Sequence, residues 1–488
     1  MIKRLRHCLA SALLFCAGTG AGLAAQAPHA ASDPDVPLSA HDRVYTADQT
    51  SNTVSVYDPS RNQLLGVLRL GDVTPQNLSP LYRGQLLVHG LGFSFDHKTV
   101  AVVSIGSNSV TFLDAATNAV KYVTYVGRSP HEPFFTPDGS ELWVTVRGED
   151  YVSVIDPATY QEKDRIVVGN GPGMTVFRPD GKYAFVCSSF IPETKVVEVQ
   201  THRIVATVPQ ASPFSPNIAA TPDGRQVWFT LKDVGKAQLF RAEPPFEVLA
   251  TLDTGPITNY VNFVRNRNGQ FAYVTVGGEN RVKVYTTTDA PELVATIPTG
   301  ELPHGIWPSG DGTRVYVALE NGTGINVINA LTNQVEARIN GGQSSQALVY
   351  VPGAVPTGDG LAHLEPLSAS GLAEHLLLGP PGSSSQAAPT TVTLDNQGLI
   401  DLLQAAVTGL KPEAAYRLAL VRDRADPYRE FEPLSTFQTN AAGAAIVNTL
   451  GPLRRVMAGS AASDDRRYLV IVPVEEGNRP EPVQVQRE

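Results

Sequence analysis

The sequence is poor in sulfur, with three cysteines and three methionines in 488 residues. Cys8 and Cys16 fall in an N-terminal apolar stretch, which leaves Cys187 alone in the body of the chain. A single cysteine makes no internal disulfide and excludes a thiolate-held cluster. Cys187 lies in the apolar run Ala184-Phe185-Val186 and reads as a small core residue. Charge is also scarce. Charged residues are 17% of the chain, the net charge is −9, and the body has no basic cluster, which excludes a nucleic-acid partner held through phosphates. After Leu23 no apolar run is long enough to span a bilayer. Glycine fingerprints for nucleotides, a Walker loop and a Cys-x-x-Cys-His haem motif are missing as well. Long helical periodicity is absent between Ala40 and Pro352.

The first residues have the layout of a secretory leader. Lys3, Arg4 and Arg6 precede the uncharged stretch Leu9 to Leu23, and small residues follow at Ala24, Ala25 and Ala27. We expect residues 1–27 to be a signal peptide and the protein to be periplasmic or secreted.

What is abundant is a repeat. Asp-Gly or a related turn pair stands at Asp96, Asp138, Asp180, Asp223, Asn268 and Asp311, at intervals of 42 to 45 residues. A strand-end series keeps step, as in Val-Ser-Val-Tyr-Asp58, Val-Thr-Phe-Leu-Asp114, Val-Ser-Val-Ile-Asp156 and Ile-Asn-Val-Ile-Asn329. An insertion around Gly71 to Val88 lengthens the first interval. Each unit reads as four short strands, the first two joined at the Asp-Gly turn, where positive φ is needed. Four strands per unit at this period define a β-propeller blade. Second strands begin near Val44, Val100, Leu142, Tyr183, Val227, Phe271 and Val315, so there are seven blades. The first strand missing at the N-terminus stands at the other end, at Ser345–Val351, and is expected to close the ring. An aromatic residue recurs in the second strands (Tyr45, Trp143, Phe185, Trp228, Tyr273, Tyr316), spaced for packing between blades. The predicted fold is all-β, a seven-bladed propeller over residues 40–353.

Val44-Tyr45-Thr46, Trp143-Val144-Thr145, Tyr273-Val274-Thr275, Val152 to Thr159 and Phe135 to Gly139 resemble the bacterial YVTN-family propeller repeat. The resemblance covers about Val44 to Pro352 and implies the fold. The wider group includes exported proteins, cell-surface proteins, lactonases and copper enzymes, so the fold alone does not choose a function.

Residues 354–389, rich in Gly, Pro and Ser, are expected to be a linker with a short helix near Leu372 to Leu378. Residues 390–488 hold six strand-like segments and are expected to form a small β-sandwich of immunoglobulin or fibronectin type.

The candidate site is a set of histidines. His89, His131 and His304 each lie seven residues before a turn residue, which places all three at the start of an innermost strand, near one mouth of the channel. Three imidazoles with an open position suit copper or zinc, though no motif demands a cofactor. Asn217, Asn262 and Ser345 are the expected channel-lining polar residues on other inner strands, and Arg147, Lys232 and Glu320 stand on loops expected at the same mouth. Tyr82 and Arg83, in the insertion, are placed to cover it.

These features lead to an exported propeller that binds a small molecule or a protein partner at the channel mouth. Two alternatives are a copper- or zinc-dependent periplasmic enzyme using the histidines, and a metal-independent, lactonase-like hydrolase with a histidine or glutamate as base. No catalytic residue is fixed by the sequence.

Overall fold

A computed structural model describes residues 36–74, 81–383, 389–426, 428, 430–456, 465–474 and 481–487. The expected leader lies outside these residues. Among them no helix is long and apolar enough to cross a membrane.

Seven four-stranded antiparallel sheets form the propeller. Blade 1 is Ser345–Val351 inside, then Arg43–Asp48, Thr53–Asp58 and Gln63–Arg69. The inner strands of blades 2 to 7 are Val88–Phe93, Pro130–Phe135, Pro172–Phe177, Ile218–Ala220, Thr258–Asn266 and Pro303–Pro308. The Asp-Gly turns form for a local reason. In blade 3 Gly139 takes φ +72° and Asp138 Oδ1 accepts from Thr136 Oγ1 at 2.6 Å and from the Ser140 amide at 3.0 Å. Thr221 with Asp223 and Ser309 with Asp311 repeat the hydroxyl–carboxylate bond, each at 2.6 Å. The aromatic stripe is buried between blades, as expected. Trp143 meets Phe177 of the next blade at 5.1 Å between ring centres, Trp228 meets Phe263 at 6.0 Å, and Tyr316 meets Tyr350 at 6.0 Å. Cys187 is buried and free, and burial pushes its thiol up to about 11, so it is a core residue.

The ring closes where expected, with Val44 opposite Tyr350, Tyr45 opposite Val349 and Thr46 opposite Leu348. Asp48 clasps the closure. Its Oδ1 accepts from Thr46 Oγ1 at 2.8 Å and Ser345 Oγ at 2.7 Å, and its Oδ2 from Ser55 Oγ at 2.6 Å and Thr53 Oγ1 at 3.2 Å. Ser345, expected to line the channel, spends its hydroxyl here instead.

The inner strands of blades 2, 3, 6 and 7 share one irregularity. The pairing with the second strand shifts between Val88 and Gly90, Pro130 and Pro133, Thr258 and Val261, and Pro303 and Ile306. Such bulges break the alternation of side chains and re-aim residues at the mouth.

Beyond the propeller lies one eight-stranded sheet, in the order Glu432–Gln438, Ala415–Val421, Tyr468–Pro473, Gln484–Gln486, Ala373–Gly379, Thr390–Asn396, Asp401–Val407, Ala445–Gly451. Its two end strands lie against each other, so the expected sandwich takes the form of a nearly closed, barrel-like sheet. The expected helix near Leu372 to Leu378 is instead a strand, because Ala373–Gly379 pairs with Thr390–Asn396. The segment read as linker also packs on the propeller: Ala354 and Val355 are buried, and Glu365 exchanges backbone hydrogen bonds of 2.8 and 2.9 Å with Val67. The barrel docks on the channel mouth over blades 1, 6 and 7. Ala406 and Ala444 join Ile257 and Leu302 in one apolar cluster. Asp395 accepts from Thr50 Oγ1 at 3.1 Å, and Asn321 donates to the Thr391 carbonyl at 3.1 Å.

Burial raises the Asp48 carboxyl to about 6 against 3.8 for an exposed aspartate, despite four donors. Between those values the folded state holds more protons than the unfolded one, so stability falls as pH rises. Asp48→Asn removes this dependence. We expect the wild type to lose roughly 2–3 kcal/mol relative to Asp48→Asn between about pH 4 and 6. Guanidinium unfolding of both proteins across that range checks it; a constant difference would show that the clasp carboxyl is not desolvated.

Candidate functional site

The three histidines take the second position of the inner strands of blades 2, 3 and 7, and each is no more than 6% exposed. His89 and His131 lie 4.5 Å apart between ring centres, and His89 and His304 6.4 Å. Each ring engages Nδ1 with an oxygen: His89 with Gln49 Oε1 at 3.3 Å, His131 with the Gly173 carbonyl at 2.7 Å, His304 with the Gln346 carbonyl at 2.8 Å. A carbonyl oxygen only accepts, so Nδ1 carries the proton and Nε2 the lone pair. His89 Nε2 is buried with no hydrogen-bond partner. Burial holds all three imidazoles below the ordinary range, His304 down to about 4; the charge of Arg147 adds to this at all three, and that of Lys232 at His89 and His304. The cluster is neutral at physiological pH.

Glu132 joins it. Although adjacent to His131 in a strand, it also faces the channel, because the bulge between Pro130 and Pro133 breaks the alternation. Tyr260, from the opposite side of the ring, donates a short hydrogen bond to Glu132 Oε1, and the Leu91 amide donates to Oε2 at 3.3 Å. Burial outweighs these donors and raises the carboxyl to about 8. Gly90 makes room, since a Cβ there would stand 2.1 Å from the His131 carbonyl and 2.8 Å from Glu132 Oε2.

Loops between second and third strands complete the mouth. Arg147 of blade 3 is the unusual member: its Nε and Nη2 are buried with no hydrogen-bond partner, and the guanidinium stands 6.0 Å from the Phe214 ring. Burial lowers it to about 10. Lys232 of blade 5 is likewise lowered by burial, with Glu320 opposing and Arg147 adding to the shift. Burial pulls Glu320 up, but His304, Lys232, Gln346 and Gln404 outweigh it and hold the group below its usual value. Since His304 is neutral at pH 7, Lys232 is the cation that faces it. Glu320 Oε2 lies 3.7 Å from His304 Nε2, and its Oε1 accepts from Gln404 Nε2, on the barrel, at 2.6 Å. The barrel therefore supplies a side chain to the site.

The structure brings His89, His131, His304, Arg147, Lys232 and Glu320 together. It does not bring in the other candidates. Asn217 Oδ1 accepts from the Val261 amide at 2.8 Å, and Asn262 Nδ2 donates to the Ile306 carbonyl at 3.0 Å, so both stitch neighbouring inner strands. The inner strand of blade 6 begins at Thr258, so Asn259 and Tyr260, not Asn262, hold its mouth positions. Tyr82 folds back on its own loop, accepting from the Asp72 amide at 2.8 Å, and Arg83 is exposed. Sequence reasoning missed Glu132, Tyr260, Gln49 and Gln404. Alternation argued against the first two. The last came from a domain whose docking no repeat encodes.

The family model of the lactonases with a seven-bladed β-propeller matches residues 123–336, under half of the chain. That span includes His131, Glu132, Arg147, Lys232, Tyr260, His304 and Glu320, and leaves out His89, Gln49, Gln346 and Gln404. Among curated proteins none matches. Among solved structures, hydrazine synthase of Kuenenia stuttgartiensis is similar at 18% identity and TM-score 0.48, covering 57% of this chain and 89% of its own. A functionally unknown protein from Desulfotomaculum acetoxidans DSM 771 is similar at 12% identity and TM-score 0.54, covering 63% and 98%. The second likeness, at 12% identity, is one of fold alone. The class defined is a seven-bladed β-propeller similar in part to lactonases, carrying a second, barrel-like domain.

A half-buried guanidinium with two buried, unpartnered nitrogens costs stability. Arg147→Met keeps the stem and removes the charge, and we expect it to raise the melting temperature of the ligand-free protein by a few degrees. Calorimetry checks this; a lower melting temperature would mean that Arg147 is structurally paired.

Proposed function

We propose that the channel mouth binds a small organic anion, with a carboxylate or similar group seated on Arg147 and Lys232. The observation that carries this reading is Arg147, whose Nε and Nη2 are buried without a partner while Lys232 converges on the same space. A fork of unpaired donors suits a planar, bidentate anion. The neutral histidines and the protonated Glu132 supply hydrogen bonds to the rest of the ligand. We further read the protein as exported, from its leader-like first residues, and its repeat as of YVTN type, from the strands around Val44, Trp143 and Tyr273.

A second reading, hydrolysis of a lactone, is favoured by the match to the lactonase family over residues 123–336. A neutral His131 or His304 could take a proton from water, and Arg147 could stabilise the oxyanion formed on the ring-opening carbonyl.

Calorimetric titration with a panel of mono- and dicarboxylates tests the first reading. We expect a binder whose affinity falls at least about tenfold in Arg147→Gln and in Lys232→Gln. Affinity unchanged in both would remove it. Titrimetric assay of γ- and δ-lactones tests the second; turnover that survives Arg147→Gln intact would count against the role given to that residue.

A further inference from the structure

We propose that His89, His131 and Glu132 bind one divalent first-row transition-metal ion, with His304 outside the ligand set. This does not depend on the anion-binding reading, which is carried by Arg147 and Lys232; a bound ion would take His89, His131 and Glu132 from the contacts given them there, and either can fail alone.

Among the described residues these three are the group of histidine, cysteine and acidic side chains whose ligating atoms all lie within 4.8 Å of one another, and all three are buried. Both imidazoles have the support that metal-bound histidines need. His131 Nδ1 is fixed on the Gly173 carbonyl and His89 Nδ1 on Gln49 Oε1, so each ring is held in one tautomer with Nε2 as its lone-pair atom. His89 is 6% exposed and its Nε2 has no hydrogen-bond partner, an arrangement with a cost unless something accepts the lone pair. Glu132 is oriented through both oxygens, by Tyr260 and by the Leu91 amide, and it would ligate as the carboxylate, releasing to solvent the proton it holds in the empty site. His202 shows the contrast. Both of its nitrogens are spent on carboxylates, Asp164 at 2.7 Å and Glu141 at 2.9 Å.

His304 is set apart by its own partner, Glu320, 3.7 Å from its Nε2. Two nitrogens and one carboxylate oxygen from two adjacent blades leave coordination positions open. Such a set fits zinc and its divalent neighbours, not soft copper(I).

The test uses the full chain without a polyhistidine tag, stripped by chelator and then titrated with Zn²⁺ against a chromophoric chelator. Co²⁺ absorption serves as a second readout of coordination. We expect one ion per chain. Affinity should fall by roughly a hundredfold or more in His89→Gln and in Glu132→Gln. Stoichiometric binding should persist in His304→Ala and in the control His363→Ala. Circular dichroism confirms that each variant is folded, and a Zn²⁺-dependent rise in melting temperature gives a readout independent of the competing chelator. No binding by the folded wild type overturns the proposal. So does loss of binding in His304→Ala with retention in Glu132→Gln, which would assign the site to three histidines.

Discussion

The pairing of Ser345–Val351 with Arg43–Asp48 is the contact on which the rest of the molecule depends. It joins residues about 300 positions apart in sequence and turns seven sheets, each with an apolar face to bury, into a ring without a free inner edge. Asp48, buried under four hydroxyl donors, makes that joint polar and specific. The same closure carries Gln49 and Gln346 to the channel mouth, where one holds His89 and the other His304. The integrity of the ring and the orientation of the site are therefore set by one junction.

The site follows from the geometry of a closed ring. Inner strands converge, so the second residue of each meets its counterparts across a narrow space. Bulges at that level turn a second residue inward as well, which is how Glu132 and Tyr260 come to bridge the channel beneath the histidines. The barrel then settles over blades 1, 6 and 7 and excludes water from one side. Low dielectric does the remainder: it keeps the imidazoles neutral, keeps Glu132 protonated and leaves Arg147 costly without a counter-ion. Each is a group whose state changes once an anion or a metal ion enters.

Much of the propeller was legible in the sequence because its determinants are local and periodic. Asp138-Gly139 demands a turn, Trp143 and its equivalents demand a packing surface, and the orphan strand at Ser345 demands a partner. The three histidines were legible for the same reason, since they share a repeat position. What stayed hidden depends on departures from periodicity or on long-range docking. Glu132 is concealed by a bulge, Tyr260 by a strand three residues longer than most of its inner-strand counterparts, and Gln404 by a domain interface. Ala373–Gly379 lies in a stretch that reads as linker by composition, yet it is a strand because the barrel supplies partners on both sides.

The central claim is that the buried polar groups at the mouth form a built site and are not the incidental lining of a channel. A crystal structure of the full chain soaked with Zn²⁺ and succinate, with anomalous data at the zinc edge, tests it most directly. The account predicts an anomalous peak between His89, His131 and Glu132, and a carboxylate on the Nε and Nη2 edge of Arg147. A channel mouth that holds only water, with no zinc at that cluster and Arg147 turned away to a protein partner, would contradict it.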